Sequence, residues 1–546
     1  MRPVPERESV GGASRWAACV IGSLMLGAIV AATAPPPAID AAFQRFWDAR
    51  TPQDAGKATK DIVGSSVSFA DALIRFKRGR TYAPATKRGS VQLQRRFVTG
   101  EFHYELVVPE TYDPSRSYQV RFQLHGGVMM RETGEPRGRG GRGAGGRGGP
   151  LEGAEQIYVL PTSWREAPWW GRAQLENLDA ILDSVKRTYN VDENRVVLSG
   201  VSDGATGLYY VAMRETTPFA SFLPLNGFIL VLNNRDVGMA GALFPHNLTN
   251  KPFFVVNGGQ DPLYPAGDVT PIMRSFAAGG LDVVYRPQPD AGHNTSWWPQ
   301  LKDEIEDFVR AHPRTPHPAR ITWQTDDVTS RNRAHWLVID RLGASKPADE
   351  LPDINFMTTG EEQNFGVRSS GMRVTAVVPG SNAAAFGLLP EDVVVSINDR
   401  VLPQGLDLTG FLGIYDPGLP MHFVVSRGKT TADLRGTYEP VMRTRVSPIF
   451  ATGVPSGRVD VTRQGNTVRA VTRGVAAFTL LLSPDVFDFS APVTVVADGA
   501  TVFSGTVKSS VETLLTWAAR DNDRTMLYGA ELHVTLPPSA NTQRGR

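Results

Sequence analysis

With 546 residues the chain is longer than one hydrophobic core usually supports, so roughly two to four domains are expected. Its 41% hydrophobic, 21% charged and 9% aromatic residues exclude a disordered or membrane-filling chain. Lysine plus arginine (57) nearly balances aspartate plus glutamate (55), and the net charge of +2 gives no basis for a nucleic-acid partner or an anionic surface.

The N-terminus has the pattern of an export signal. Arg2, Arg7 and Arg15 precede an uncharged, mostly apolar run from Trp16 to Ala34, giving a basic head, an apolar middle and a small-residue end. Val30-Ala31-Ala32 and Ala32-Thr33-Ala34 are the cleavage signatures, the second followed unfavourably by Pro35. The run is close to the ~20 residues that span a bilayer, so residues 1–34 are read as a signal peptide or an uncleaved membrane anchor. Export implies a periplasmic or secreted protein. The single cysteine, Cys19, lies inside this run, so a processed chain forms no disulfide and depends on packing.

Residues 35–88 carry Phe46, Trp47, Ile62, Phe69, Leu73, Ile74 and Phe76 at loosely helical spacing and are expected to form a small helical prefix. From Gly89 the pattern becomes extended, with strands at Val91-Gln92-Leu93, Phe102 to Val108 and Tyr118 to Leu124, the last running into His125-Gly126-Gly127. The Gly/Arg tract from Gly134 to Gly149 cannot bury apolar area and is read as a solvated loop, not an RNA-binding segment. Beyond it strands alternate with helices: Ile157 to Leu160, a helix through Leu175, Leu178, Ile181, Leu182, Val185 and Tyr189, then Val196 to Leu198, Phe253 to Val256, Leu281 to Tyr285, and a closing helix through Leu301, Ile305, Phe308 and Val309. This alternation predicts an α/β domain over 89–313, a doubly wound, mostly parallel sheet covered on both faces.

The chemistry centres on Gly200-Val201-Ser202-Asp203-Gly204, placed between the strand at 196–198 and the helical stretch Ala205 to Arg214. So tight a strand-to-helix turn strains the serine backbone, and flanking glycines let the side chain project. In a chain with 54 glycines such a motif alone is an ordinary turn, and only suitable partners further along the chain make it a nucleophile. A serine hydroxyl needs a base to remove its proton, and His293, in Asp290-Ala291-Gly292-His293-Asn294 after the last strand, is in position. The histidine in turn needs a carboxylate to fix its tautomer. Asp261, in Asn257-Gly258-Gly259-Gln260-Asp261-Pro262, is preferred over Asp290, which shares the histidine's own loop. Backbone donors for an oxyanion are expected from Gly126, Gly127 and the N–H of Asp203. His125 is read as a structural hydrogen-bonding residue. Trp164, Trp169, Trp170, Trp297 and Trp298 are assigned no role, because packing is the common fate of tryptophan. No metal and no cofactor is called for.

The HGG, GVSDG, GGQDP and AGHN series, in that order, together with Thr188 to Arg195 before the elbow strand, resembles the α/β-hydrolase serine esterases related to polyhydroxyalkanoate depolymerases and feruloyl esterases. The resemblance covers about Gly89 to Pro313. It implies attack on a carboxylic ester by Ser202 through an acyl-enzyme, without a metal. The Gly/Arg tract and Asp203 depart from the common pattern.

Downstream, Asn364-Phe365-Gly366-Val367, Met372-Arg373-Val374, Gly380 to Leu388 and Asp392 to Asn398 resemble a PDZ domain over 353–440. That resemblance implies capture of a peptide C-terminus by a loop of Phe365, Gly366 and Val367, although Glu391 stands where glycine is usual. Residues 314–352 read as a hairpin-like β connection built from Arg320 to Trp323 and His335 to Ile339. Residues 441–546 read as a small β-rich C-terminal domain with one helix near Val511 to Ala519. Three functions therefore stand: an exported esterase acting on a small-molecule or polymeric ester, a serine peptidase that engages peptide termini through the PDZ domain, and a non-enzymatic peptide-binding protein with a relic site.

Overall fold

A computed structural model describes residues 37–97, 99–130, 150–344, 357–401, 407–450 and 454–537. Residues 1–36, which include the segment read as an export signal, lie outside them, as do the Gly/Arg tract and the first residues of the region read as PDZ-like. No helix among the described residues is long and apolar enough to cross a membrane.

The described residues open with three helices, α1 (Pro37–Asp48), α2 (Pro52–Gly64) and α3 (Phe69–Arg78). Thr51 and Ser68 cap α2 and α3 by accepting the N–H groups of Asp54 and Asp71, and Pro52 begins α2 where no helical N–H is needed.

The central sheet has eight strands: β1 (Gly89–Phe97), β2 (Gly100–Val108), β3 (Tyr118–Leu124), β4 (Ile157–Pro161), β5 (Val191–Val201), β6 (Ser221–Leu225), β7 (Phe253–Gly258) and β8 (Val283–Gln288). Their order is β1-β2-β4-β3-β5-β6-β7-β8. β1 and β2 are antiparallel to their neighbours and every later pairing is parallel. Helices α4 (Arg172–Thr188), α5 (Asp203–Arg214), α6 (Ala266–Ala278) and α7 (Trp298–Ala311) cover it. Alternation along the strands divides the core between the two faces. Val196, Leu198, Phe253 and Val255 bury against α4, α5 and α6, whereas Val197, Phe254 and Val256 meet Ile305, Phe308 and Val309 of α7. The fold is therefore mixed α/β with a large, mostly parallel sheet.

Two details differ from the local pattern. β5 runs well upstream of the Val196-Val197-Leu198 core, and β6 gave no recognisable strand signal, because Pro224 sits inside a run of only five residues and argues against a central strand. All five are nevertheless buried, with Pro224 opposite Gly200 of β5.

The segments expected as a hairpin-like connection separate. β9 (Arg320–Thr325) joins β20 (Gly457–Gln464), and β11 (Leu337–Leu342) joins both β10 (Arg333–Ala334) and β22 (Val475–Leu482). With β21 (Thr467–Arg473), β23 (Val493–Ala497), β24 (Ala500–Gly505) and β25 (Ala530–Thr535), they complete a five-stranded sheet, β24-β23-β21-β20-β9, and a four-stranded one, β10-β11-β22-β25. Both sheets share one core: Trp323, Trp336 and Ile339 pack with Val459, Val461, Phe478 and Leu480. The supposed connection and the C-terminal region are thus one body, because strand pairing is decided by non-local burial.

Between those halves lies an inserted unit. β12 (Met357–Asn364) and β19 (Val441–Pro448) pair antiparallel at its base. Inside are β13 (Val367–Ser370), β14 (Arg373–Val377), α8 (Asn382–Ala385), β15 (Val393–Ile397), β16 (Arg400–Val401), α9 (Leu408–Leu412), β17 (Pro420–Arg427) and β18 (Thr430–Thr437). The sheet order is β13-β14-β15-β17-β18 over a core of Phe365, Val374, Phe386, Phe411 and Phe423. The last described helix, α10 (Val511–Asp521), returns to α1–α3: Leu514, Leu515 and Ala518 bury their apolar sides. The helical prefix therefore packs against the C-terminal helix.

Candidate active site

Ser202 links the end of β5 to α5 with φ 57° and ψ −122°, a conformation that costs on the order of 1–3 kcal/mol for a residue with a side chain. Its neighbours over-determine it. A Cβ on Gly200 would overlap the carbonyl of Gly204, and one on Gly204 would overlap that of Leu124. The Ser202 N–H donates to Leu225 O at 3.0 Å, so β6 holds the elbow from the side.

Three distant segments meet here. His293 Nε2 lies 2.8 Å from Ser202 Oγ, and His293 Nδ1 lies 2.7 Å from Asp261 Oδ2. The second contact places the ring proton on Nδ1 and leaves Nε2 as acceptor for the serine proton. Asp261 is fully buried, and its other oxygen accepts the N–H groups of Leu263 (2.8 Å) and Tyr264 (3.0 Å). These two bonds fix the direction in which the carboxylate faces His293. Asp290 instead faces away, with its carboxylate 2.9 Å from Arg400. Geometry thus separates the two aspartates.

The histidine loop is held by backbone contacts. Gln260 N–H donates to Ala291 O at 2.9 Å, and Asn226 Nδ2 donates to Asn294 O at 2.6 Å. The Tyr264 ring stands edge-on to the imidazole, 5.6 Å between centroids, and burial, reinforced by the charges of Asp203 and Asp261, pushes its hydroxyl up to about 12. Asn226 and Tyr264 were not singled out by sequence. Asn226 follows the strand whose signal proline obscured, whereas Tyr264 closes the Asp261 motif within three residues and was legible there.

Gly126 lies close against Ser202: a Cβ there would be 2.8 Å from Ser202 Cβ and 3.3 Å from Ser202 Oγ. Gly127 has φ +68° and turns the chain into Val128, whose N–H donates to Asp203 Oδ2 at 2.7 Å. Among the described residues the N–H groups of Gly127 and Asp203 have no hydrogen-bond partner, as expected for the first turn of a helix in the latter case. Ser202 is 7% exposed and the His293 side chain 12%, while Met130 (73%) and Leu263 (60%), near in sequence to these loops, expose apolar surface.

The remaining expected residues fall outside this constellation. His125 Nε2 accepts Ser163 N–H and its carbonyl accepts Trp169 Nε1, a structural placement. Trp169 and Trp170 are fully buried, Trp164 packs on Phe102, and Trp298 donates to Glu152 O. In the inserted unit Phe365 is buried among Phe386, Phe423 and Tyr438. Gly366 (φ +87°) accepts Val378 N–H through its carbonyl, and Val367 begins β13, the end strand of its sheet.

No protein-family model matches the chain, and no curated protein matches it. Among solved structures it is similar to a thermostable esterase at 18% identity and TM-score 0.31, covering 41% of this chain and 63% of that one. It is also similar to S-formylglutathione hydrolase from Staphylococcus aureus at 14% and 0.32, covering 42% and 98%, and to dipeptidyl peptidase 4 from Porphyromonas gingivalis at 11% and 0.32, covering 41% and 35%.

Proposed function

We propose that the protein is an exported serine hydrolase of the α/β-hydrolase fold that cleaves carboxylic esters. The reading is carried by the hydrogen-bonded line from Asp261 through His293 to Ser202 on a strained strand-to-helix turn. Ser202 Oγ attacks the acyl carbon as His293 Nε2 takes its proton; the imidazolium, stabilised by Asp261, returns that proton to the departing alcohol. Water, activated by the same histidine, then releases the acid. The developing oxyanion is assigned to the Gly126-Gly127 segment and the Asp203 N–H, each donor worth about 3 kcal/mol at the transition state. The exposed Met130 and Leu263 suit an apolar acyl or leaving group.

The same triad can cleave amides, and β13, an end strand, gives a peptidase reading a place for strand addition by a peptide terminus. Labelling with a fluorophosphonate, followed by parallel turnover of aryl esters and peptide anilides, tests both readings. Wild type is expected to label and Ser202→Ala to be silent, with ester turnover dominant; an unlabelled wild type rejects the hydrolase. Export is tested by N-terminal sequencing of protein from fractionated cells.

A further inference from the structure

We infer that the Asp203 carboxylate is a positioning group that locks the oxyanion loop onto the nucleophile elbow. This role depends on the protein being a serine hydrolase. Asp203 directly follows Ser202, and its Oδ2 accepts the N–H of Val128 at 2.7 Å. Val128 is fully buried and immediately follows Gly126-Gly127. One residue therefore joins both halves of the hole: its backbone N–H supplies a donor from α5, and its side chain fixes the loop that supplies the other.

The charge has the wrong sign for direct catalysis. A carboxylate beside a developing oxyanion raises the barrier by repulsion. Two effects favour its presence. The first turn of α5 stabilises an anion, and a charge-assisted bond to a backbone amide is short and directional. The loop needs such a tether because its glycines cannot restrain it: Gly127 is left-handed, and Gly126 must remain without a side chain for lack of space against Ser202. The acceptor oxygen is therefore the useful part of this side chain, and the negative charge is tolerated.

The full chain carrying Asp203→Asn keeps an oxygen acceptor without the charge, whereas Asp203→Leu keeps bulk without an acceptor and Asp203→Ala keeps neither. Aryl-ester kcat should fall about 100-fold in the Leu and Ala variants with little change in KM, as expected for a donor displaced by an ångström or so. Affinity for an alkyl boronic acid, which binds as a tetrahedral adduct, should weaken in parallel. Asp203→Asn should recover most of both, with melting temperature confirming that each variant is folded. Wild-type kcat in Asp203→Leu, or an Asn variant as impaired as Leu, overturns the proposal. An inactive, unlabelled wild type instead overturns the underlying hydrolase reading, so the two failures are distinguishable.

Discussion

Two aspartates stand near the histidine segment, and their surroundings give them different work. Asp261 is buried and held by two backbone N–H groups, so it presents one oxygen to His293 in a fixed direction. Asp261→Asn would offer an amide in place of the acceptor and favour the wrong histidine tautomer; kcat should fall by about 10⁴. Asp290 is mostly exposed and bonded to Arg400, so Asp290→Asn should leave ester turnover within about twofold, an exposed ion pair being worth roughly 0–1 kcal/mol. Steady-state kinetics of both variants checks the contrast. Gly126→Ala tests the elbow from its other side. The added methyl would lie 2.8 Å from Ser202 Cβ, and displacing Ser202 should lower kcat about 100-fold while the sheet stays folded.

The elements that carry Asp261 and His293 are also where the inserted unit docks. Gly267, in the first turn of α6, faces Gly410 of α9 so closely that a Cβ would overlap the Gly410 carbonyl, and a Cβ on Gly413 would lie 3.1 Å from Gly267 Cα. α6 begins just after the Asp261 loop, and Arg400 reaches Asp290 on the His293 loop, so the unit touches the segments that carry Asp261 and His293. Alanine suits a helix better than glycine by roughly 1 kcal/mol, so Gly267→Ala should not harm α6 itself. It should force α9 away, seen as faster hydrogen exchange in 408–415 and a modest fall in kcat. Unchanged exchange there would show that the contact yields without separation. Around the site, the turns carrying Ser202, Asp261 and His293 and the strands before them were legible because turn chemistry and periodicity are local, whereas β6 and α6 were not, Pro224 interrupting the one pattern and Pro271 the other. The sandwich was not, since β9 and β11 choose partners more than a hundred residues away. Neither was the packing of α1 to α3 on α10, because an apolar helix face does not specify its partner.

At the scale of the whole chain, a buried ionic seam ties the C-terminal body to the eight-stranded sheet and its helix α4. Asp523 bonds Arg314 at 2.8 Å and Lys186 at 3.3 Å, and Arg524 bonds Glu193 at 2.7 Å. These cations hold the Asp523 carboxyl far below its usual range despite the opposing cost of burial. Asp523→Ala would leave Arg314 and Lys186 buried without their shared anion, a loss of about 3–5 kcal/mol that should appear as a separate, earlier thermal transition. The same seam should be sensitive to mild acid through His317. Its ring packs edge-on to Tyr528, neither nitrogen finds a hydrogen-bond partner among the described residues, and burial pushes its pKa from 6.5 down to about 4, with Asp485 opposing weakly. Unfolded, the residue takes up a proton near 6.5; folded, it resists until about 4. The neutral folded ring therefore contributes full stability above pH 6.5, and that stability drains away as the pH falls toward 4, by at most about 1.4 kcal/mol per unit. His335, also buried and depressed, adds in the same direction. Asp523 resists acid longer, because its depressed pKa is felt only below the ordinary carboxyl value of 3.8. Thermal melts from about pH 8 to about pH 4.5 should show a progressive drop below 6.5, and His317→Phe should flatten it while leaving the value at about pH 8 little changed. A slope equally steep in that variant would place the acid sensitivity elsewhere in the molecule.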